Sequence, residues 1–334
     1  MKEEPVVDIR GLTVDFKTID GTLRVVQGVR LTIGEGEVVG IVGETGCGKS
    51  VTAKVLLGIL PTPPGMIDSE GVFLSGQNIL QCPSTERELL KQKIAYIPQD
   101  PTSSLNPVFT IGTLMVDMII WRKCGQKMSQ YFWRRRNKKA VQEAEAYSAE
   151  LLKKIYIPDP EAVLHKYAIE LSGGMKQRVL LAMALSGNPK VIIADEPTTA
   201  LDATTQKRIL LLIQEKIQEG RLAGLYITHN LGVARMFCQR TYVMYGGMVV
   251  ETGRTQELLE SPLHPYTRGL VSSIPKLSGV EFKGIDGQIP DYLSPPPGCR
   301  FHPRCIQRMN ICSEDAPPMF PAENNRSVAC WLYR

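Results

Sequence analysis

The fold of this 334-residue chain follows from one segment, Gly43-Glu44-Thr45-Gly46-Cys47-Gly48-Lys49-Ser50. Residues 38–42 before it are apolar and predict a buried strand, and residues 51–60 after it predict a helix. In this setting glycines let backbone N–H groups turn toward anionic oxygens, and the helix N-terminus adds the positive end of its dipole. Lys49 is expected to reach the β and γ phosphates of a nucleoside triphosphate, and the Ser50 hydroxyl to ligate Mg²⁺. The segment therefore predicts a triphosphate-binding loop rather than a chance glycine-rich turn.

Length and composition set the frame for the rest of the chain. With 334 residues and 43% hydrophobic side chains, it can form one large or two modest domains with a sizeable core. The net charge of +5 does not by itself indicate nucleic-acid binding. No apolar run approaches the roughly 18 residues of a membrane span, and residues 1–5 carry no apolar signal segment. The sequence thus predicts a cytosolic protein, for which any membrane role would have to come through partner subunits.

Residues 6–36 alternate short apolar runs with turns, and Asp20-Gly21 between two runs is a hairpin signal. This pattern predicts an antiparallel sheet that precedes the buried strand at residues 38–42. Phe16 in this region either stacks on an adenine ring or faces the core, and both interpretations remain open.

Polar side chains follow three later apolar strands. Asp195 and Glu196 come directly after residues 190–194. Two adjacent carboxylates are costly to bury unless a cation or a proton-transfer role occupies them, so Asp195 suits Mg²⁺ and Glu196 suits a water. Gln99 could reach Mg²⁺ or an attacking water, and His229 could sense a γ phosphate. On their own, a solvated glutamine and a packed or capping histidine are the ordinary cases.

A second glycine-containing element opens a long predicted helix at Leu171-Ser172-Gly173-Gly174. A serine before two glycines at a helix start is again phosphate-binding chemistry. One phosphate group does not need both this element and the loop at residues 43–50. The presence of both in one chain is therefore a clue about how subunits assemble. Further along, Asp202 is expected to cap a helix over residues 203–219.

With these residues in place, the chain resembles the nucleotide-binding subunit of an ABC transporter. The resemblance implies an α/β cassette at residues 1–260, with a RecA-like core, an antiparallel β subdomain and a helical subdomain at about 102–187. It also implies a head-to-tail dimer in which one subunit's Walker A loop and the other's signature close on one ATP. The matching motifs are Walker A at 43–50, the Q-loop at Gln99, the signature at 171–177, Walker B at 191–196, the D-loop at 200–202 and the switch histidine, His229.

The family roles transfer residue by residue. The implied reaction is ATP hydrolysis, with ATP and Mg²⁺ as the bound groups and little covalent chemistry for the protein itself. Catalytic roles fall to Glu196, His229 and Gln99, and Mg²⁺ ligation to Ser50, Gln99 and Asp195. ATP contacts are implied for Phe16, Gly43, Glu44, Thr45, Gly46, Cys47, Gly48, Lys49, Ser50, Val51 and Asp202, and in trans for Ser172, Gly173 and Gly174.

A narrower resemblance concerns the C-terminal part of the chain. Residues 261–268 and 296–305 look like the extension of dipeptide, oligopeptide and nickel importers, which predicts a C-terminal extension at residues 261–334. The resemblance implies an ATPase that powers peptide uptake from the cytoplasmic side of the cell membrane. Its implied partners are a second ATPase subunit (a paralogue or an identical copy), two transmembrane permeases and an extracytoplasmic substrate-binding protein, and no nucleic acid.

Two alternatives to peptide uptake remain. The same machine could import nickel or oligosaccharides, since relatives of this subgroup take these cargoes. A soluble ABC ATPase acting on nucleic acid is the alternative from another class. The single cassette and the absence of sustained heptads between residues 99 and 171 disfavour it.

Four cysteines crowd the end of the chain: Cys299, Cys305, Cys312 and Cys330. Four thiolates can hold a 4Fe–4S cluster or a tetrahedral Zn²⁺, and the CxxC pairs that structural zinc favours are absent. The importer resemblance implies the 4Fe–4S cluster, with Zn²⁺, reduced thiols or disulfides as alternatives. Arg300, Arg304 and Arg308 lie among these cysteines and would either offset the cluster's negative charge or be ordinary surface arginines.

Overall fold

The computed structural model describes residues 4–124, 127–187, 189–197, 202–274 and 284–334. The chain divides into two compact units. Unit 1 comprises Met1–Pro83 and Ala223–Arg334, and unit 2 comprises Ser84–Leu222. The predicted domain boundaries, at residue 260 and at about 102 and 187, stay predictions.

The strands carry most of the apolar runs that the sequence shows. They are β1 Val7–Thr18, β2 Gly21–Ile33, β3 Val38–Val42, β4 Gly65–Asp68, β5 Gly71–Leu74, β6 Gln77–Asn78, β7 Ile94–Ile97, β8 Val191–Asp195, β9 Ala223–Thr228, β10 Arg240–Tyr245, β11 Met248–Arg254, β12 Phe320–Ala322 and β13 Arg326–Val328.

The helices follow the strands at intervals, with most of them in unit 2. They are α1 Lys49–Leu56, α2 Ser84–Lys91, α3 Pro101–Ser104, α4 Ile111–Lys123, α5 Met128–Arg136, α6 Lys138–Lys154, α7 Pro160–Leu164, α8 Gly173–Leu185, α9 Ala203–Gly220, α10 Leu231–Phe237, α11 Thr255–Glu260 and α12 Pro265–Ser272. In the described part of the chain, none of these helices combines the length and the apolar character that crossing a membrane requires.

Unit 1 contains the predicted antiparallel sheet, with the strand order β2-β1-β5-β6 and β4 beside β1. The short apolar runs of residues 6–36 form only two long strands, joined by the predicted hairpin at Thr18 and Gly21. Irregular register near Gly11, whose φ is 59°, absorbs the interruptions that looked like turns in the sequence.

In a second sheet of unit 1, strand β3, which leads into the loop at residues 43–50, lies between two parallel neighbours. Strand β3 pairs in parallel with β9 on one side and with β10 on the other. All five residues of β3 are buried, as expected of a strand covered on both faces. Helix α1 ends at Leu56, earlier than the predicted residue 60, and Gly58 shortly after it takes a left-handed φ of 62°.

The C-terminal residues join this same sheet. Strand β11 pairs antiparallel with β10 and with β13, and β12 completes the edge. A buried ion pair fixes this region, since the Arg326 guanidinium lies 2.9 Å from the Glu251 carboxylate, with side-chain exposures of 7% and 0%. The same carboxylate accepts hydrogen bonds from the backbone N–H groups of Leu263 and His264. The extension is therefore anchored through Glu251.

Unit 2 contains the parallel pair β7 and β8, in register from Ile94 opposite Val191. Its helices α4 and α6 pack together through buried apolar residues that include Val116, Ile119 and Ala144. The predicted α/β class, with an antiparallel sheet and a helical part, is thus confirmed.

Candidate functional site

Glycines shape the loop at residues 43–50, which we call the phosphate loop. It leaves β3 at Gly43, where a Cβ atom would lie 2.1 Å from the carbonyl oxygen of Met244. Gly46 and Gly48 have φ angles of 86° and 99°, which side chains rarely adopt. Helix α1 then begins at Lys49. A larger residue at any of the three glycines would change the loop's course.

Lys49 is 5% exposed, and its ammonium group lies over the start of the loop. Its Nζ donates to the carbonyl oxygens of Gly43 and Glu44, both at 2.8 Å. The Cys47 thiol lies 3.8 Å from the same nitrogen, and burial raises its pKa, so it stays protonated beside the amine. A cation, a glycine backbone and a helix N-terminus meet here, so the loop fits a triphosphate.

Three side chains from the extension contact the phosphate loop. The Tyr266 oxygen accepts from the Glu44 N–H at 2.9 Å, and the Tyr292 hydroxyl donates to the Gly46 carbonyl at 2.8 Å. Arg304 donates to both oxygens of the Glu44 carboxylate, at 2.9 and 3.1 Å. Sequence reasoning missed these contacts because the residues lie more than 200 positions from the loop. The available signals were the importer-like segments at residues 261–268 and 296–305, which contain Tyr266 and Arg304.

The remaining predicted residues of unit 1 have varied surroundings. Ser50 and Val51 are half-buried at the start of α1, and Thr45 is exposed. Phe16 is half-buried on β1, opposite Leu23 of β2 and Gly65 of β4. His229 is exposed directly after β9. Their roles toward ATP stay predictions.

In unit 2 the structure brings Gln99 and Glu196 together. The Gln99 amide donates to the Glu196 carboxylate at 3.2 Å, and the Gln177 amide donates to the Glu196 carbonyl oxygen at 3.4 Å. Glu196 is 8% exposed and has a φ of 47°, which is unusual for a residue with a side chain. Such backbone strain is concentrated at functional sites, because surrounding contacts must hold it.

Asp195 ends β8 and is 2% exposed. Burial, followed by the neighbouring Asp195 carboxylate, raises the pKa of Tyr96 to about 12. Mg²⁺ takes oxygen ligands. In unit 2 the Asp195 carboxylate and the Gln99 side-chain amide carry such oxygens, and in unit 1 the Ser50 hydroxyl does. Each residue fits Mg²⁺ by its chemistry, and their common role toward the ion stays a prediction.

The signature segment, Leu171 to Gly174, forms the start of α8. The Ser172 side chain caps this helix by accepting from the Met175 N–H at 3.3 Å. Ser172 and Gly173 are exposed and Gly174 is half-buried. The predicted cap at Asp202 is confirmed, since its carboxylate accepts from the N–H groups of Thr204 and Thr205 at the start of α9. Residues 200 and 201 of the predicted D-loop lie outside the described residues.

The predicted 4Fe–4S cluster at Cys299, Cys305, Cys312 and Cys330 is wrong, and the zinc alternative fails on the same grounds. Over the ranges that the structure describes, no group of three or more His, Cys, Asp or Glu side chains is arranged to hold a metal ion. The four cysteines are free thiols. Burial raises the pKa of Cys299 to about 11 and also raises the pKa values of Cys305 and Cys330.

Arg304, which was expected to offset the charge of a metal cluster, has a different partner in the structure. Its side chain is 6% exposed and pairs with Glu44, so it is no ordinary surface arginine. The carboxylate and the nearby Tyr245 hydroxyl raise the pKa of Arg304 despite its burial, and the guanidinium stays charged.

Comparison with known sequences places the chain among transport ATPases. Residues 26–199 match the family described as ABC transporter, and residues 250–312 match the oligopeptide/dipeptide transporter C-terminal region. The dipeptide transport ATP-binding protein DppD of Bacillus subtilis is 39% identical over 332 residues, which cover 98% of this chain and 95% of that protein. The oligopeptide transport ATP-binding protein OppD of Salmonella typhimurium is 38% identical over 331 residues, covering 98% and 93%.

Two solved structures show a similar fold. The dimeric ATP-binding cassette MJ0796, in a post-hydrolysis state with ADP and Pi, has a TM-score of 0.63 at 25% identity and covers 75% of this chain and 98% of its own. The cbiO1 protein of Clostridium perfringens, part of the ABC transporter complex cbiONQ, has a TM-score of 0.60 at 26% identity and covers 78% and 92%.

Proposed function

Because this chain belongs to the ABC transporter family of ATP-binding subunits, we propose that it hydrolyses ATP to power the uptake of dipeptides and oligopeptides. The observation that carries the proposal is the phosphate loop of unit 1, where Lys49 and three glycines meet the start of helix α1. Within unit 2, the strained and buried Glu196, which Gln99 contacts, adds the candidate catalytic carboxylate. The names of the similar proteins favour peptides over nickel or oligosaccharides as cargo. They lend no support to a role on nucleic acid.

The residues divide the work of phosphoryl transfer to water. Lys49 and the loop backbone bind the phosphates, and Glu196 orients the attacking water and accepts its proton. Gln99 holds the Glu196 carboxylate through the 3.2 Å hydrogen bond, and His229 contacts the γ phosphate. Ser50, Asp195 and Gln99 are the residues that would hold Mg²⁺, which when bound would supply positive charge beside the phosphate oxygens.

The remaining ATP contacts come from the rest of the predicted set. Phe16 stacks on the adenine, and Asp202 lies close to the nucleotide of the assembled pair. Ser172, Gly173 and Gly174 act on the ATP of a second cassette. The exposure of Ser172 and Gly173 supports this role, and with it a head-to-tail dimer with an identical copy or a paralogue.

The partners follow from the transport role. Two transmembrane permeases would carry the peptide, and an extracytoplasmic binding protein would deliver it. The ATPase would sit peripherally on the cytoplasmic side of the cell membrane. The division into a cassette at 1–260 and an extension at 261–334 would then separate the ATP-driven part from a part specific to peptide importers.

The substitution Glu196→Gln tests the catalytic assignment. Removing a general base is expected to lower kcat by about 10²–10⁴-fold, while ATP still binds. Steady-state phosphate release and equilibrium titration with ATP measure the two quantities. The matched control is Glu219→Gln, an exposed carboxylate paired with Lys216, which should leave both unchanged. Normal hydrolysis by Glu196→Gln would show that another group is the base.

Uptake assays test the cargo. Cells that lack this chain should lose accumulation of a labelled dipeptide, and the wild-type chain, but not Glu196→Gln, should restore it. Nickel and labelled oligosaccharide uptake, measured in the same cells, should not change. Loss of nickel or sugar uptake with peptide uptake intact would overturn the peptide assignment.

A further inference from the structure

The extension fixes the first half of the phosphate loop at three points. Tyr266 accepts from the Glu44 N–H at 2.9 Å, and Tyr292 donates to the Gly46 carbonyl at 2.8 Å. Arg304 donates two hydrogen bonds to the Glu44 carboxylate. All of these residues belong to unit 1.

The side chains that make these contacts are themselves held in place. Arg304 also donates to the carbonyl oxygens of Ile285 and Asp286, at 2.9 and 2.8 Å. The Tyr266 ring is fully buried against the Tyr245 ring, with 4.6 Å between centroids, and against Phe301 at 5.5 Å. A rigid support can fix the position of whatever it contacts.

We propose that Arg304, Tyr266 and Tyr292 are positioning residues for ATP, because they hold the phosphate loop in its nucleotide-binding shape. This inference rests on the proposed ATPase function of the same loop. A loop with three glycines has many conformations, and binding becomes tighter when that freedom is lost before the ligand arrives.

The proposal predicts a specific kinetic signature. A loop held in shape improves the binding of ground state and transition state alike, so its loss should raise KM and leave kcat unchanged. A residue with only a structural role would instead lower the amount of folded protein, and the surviving fraction would keep its KM.

Substitutions in the full chain test this. Arg304→Gln removes the ion pair and should raise the Kd for MgATP and the KM by about tenfold, with kcat within about twofold of wild type. Tyr292→Phe removes one hydroxyl and should raise both constants by about threefold. Arg304→Lys keeps the charge without the two-pronged geometry and should lie between wild type and Arg304→Gln. Titration calorimetry with MgATP and steady-state phosphate release provide the values.

The matched control is Arg308→Gln, because Arg308 is an exposed arginine of the same extension. Its Kd and KM should equal those of the wild type. If Arg304→Gln fails to fold, Tyr292→Phe decides the question, since it deletes a single oxygen. Unchanged Kd and KM in folded Arg304→Gln or Tyr292→Phe would overturn the inference. A wild-type chain that binds no ATP would instead refute the proposed function and remove the basis of the inference.

Discussion

The phosphate loop and the signature segment are chemically alike but structurally different. Each places glycines at the N-terminus of a helix, α1 in one case and α8 in the other. In the phosphate loop Gly43 and Lys49 are buried, and Arg304 reaches it from 260 positions away in sequence. In the signature segment Ser172 and Gly173 are exposed, and the cap from Ser172 spans only three residues.

This difference shows that two glycine-containing segments with similar local chemistry can be held in place in two ways. The phosphate loop is fixed by tertiary contacts within unit 1. The signature segment forms through a local cap and leaves its serine and first glycine at the surface. An exposed phosphate-binding element is what the proposed action on a second subunit's ATP requires.

The largest effect is expected from Arg326→Met, which removes one member of the ion pair that anchors the extension. It leaves the buried Glu251 carboxylate without its cation, which should lower the free energy of unfolding by about 3–5 kcal/mol. If the extension supports the phosphate loop, ATP affinity should fall as well. Denaturant unfolding and MgATP titration measure both, with exposed Arg308→Met as the control. Stability equal to the control's would contradict this anchoring role.

Gly43→Ala should have the next largest effect. The new Cβ meets the Met244 carbonyl at 2.1 Å, so the loop must shift, with a cost of about 1–3 kcal/mol and a loss of MgATP affinity. Gly284→Ala is the control, because a Cβ there would meet no atom of the described residues within 4 Å. Wild-type MgATP affinity in Gly43→Ala would show that the loop tolerates another shape.

Acid should weaken the extension through His264, whose ring caps α12 by accepting from the Tyr266 N–H at 3.0 Å. Burial, and then the nearby Arg268, lower the pKa of His264 to about 3. Its other neighbours are the Phe301 ring and the Glu251 carboxylate, which accepts from the His264 N–H. Below about pH 6.5 the histidine of the unfolded chain takes up a proton and that of the folded chain does not. The free energy of unfolding therefore decreases as the pH is lowered, by up to about 1.4 kcal/mol per pH unit.

This contribution is complete above about pH 6.5 and is lost progressively as the pH falls toward 3. Denaturant unfolding at pH 7, 6 and 5 measures it. His264→Asn keeps a capping oxygen without the titration and should flatten the profile. Exposed His165→Asn should keep the wild-type slope. An unchanged slope in His264→Asn would assign the acid sensitivity to other groups.

The smallest change in stability is expected from Ser172→Ala, which deletes the cap of α8 at a cost of about 1 kcal/mol. MgATP binding to the phosphate loop of a single chain should be unchanged, while turnover of the assembled pair should fall roughly tenfold. Thermal melting measures the stability, MgATP titration the affinity of the single chain, and phosphate release the turnover of the assembled pair. Ser172→Thr is the control and should retain the cap. A loss of single-chain affinity as large as that of Gly43→Ala would abolish the distinction between the two segments.

Much of the site was predictable because its signals are local. Glycines at 43, 46 and 48, a lysine before a helix and carboxylates after a strand each reflect a backbone or charge requirement that neighbouring residues express. The caps at Ser172 and Asp202 are local for the same reason. The metal cluster was wrongly predicted because cysteine spacing along the chain does not determine how the side chains are arranged in space. Among the described residues, no three metal-ligating side chains are grouped to hold an ion.

The local sequence thus accounts for the strand–loop–helix order, the nature of the phosphate loop and the identity of the acidic residues. Folding alone brings Arg304 to Glu44 and Tyr292 to Gly46, and gives Glu196 its left-handed backbone with Gln99 against it. These contacts join residues about 100 to 260 positions apart, and their partners depend on strand pairing and burial along the whole chain. No short segment contains that information.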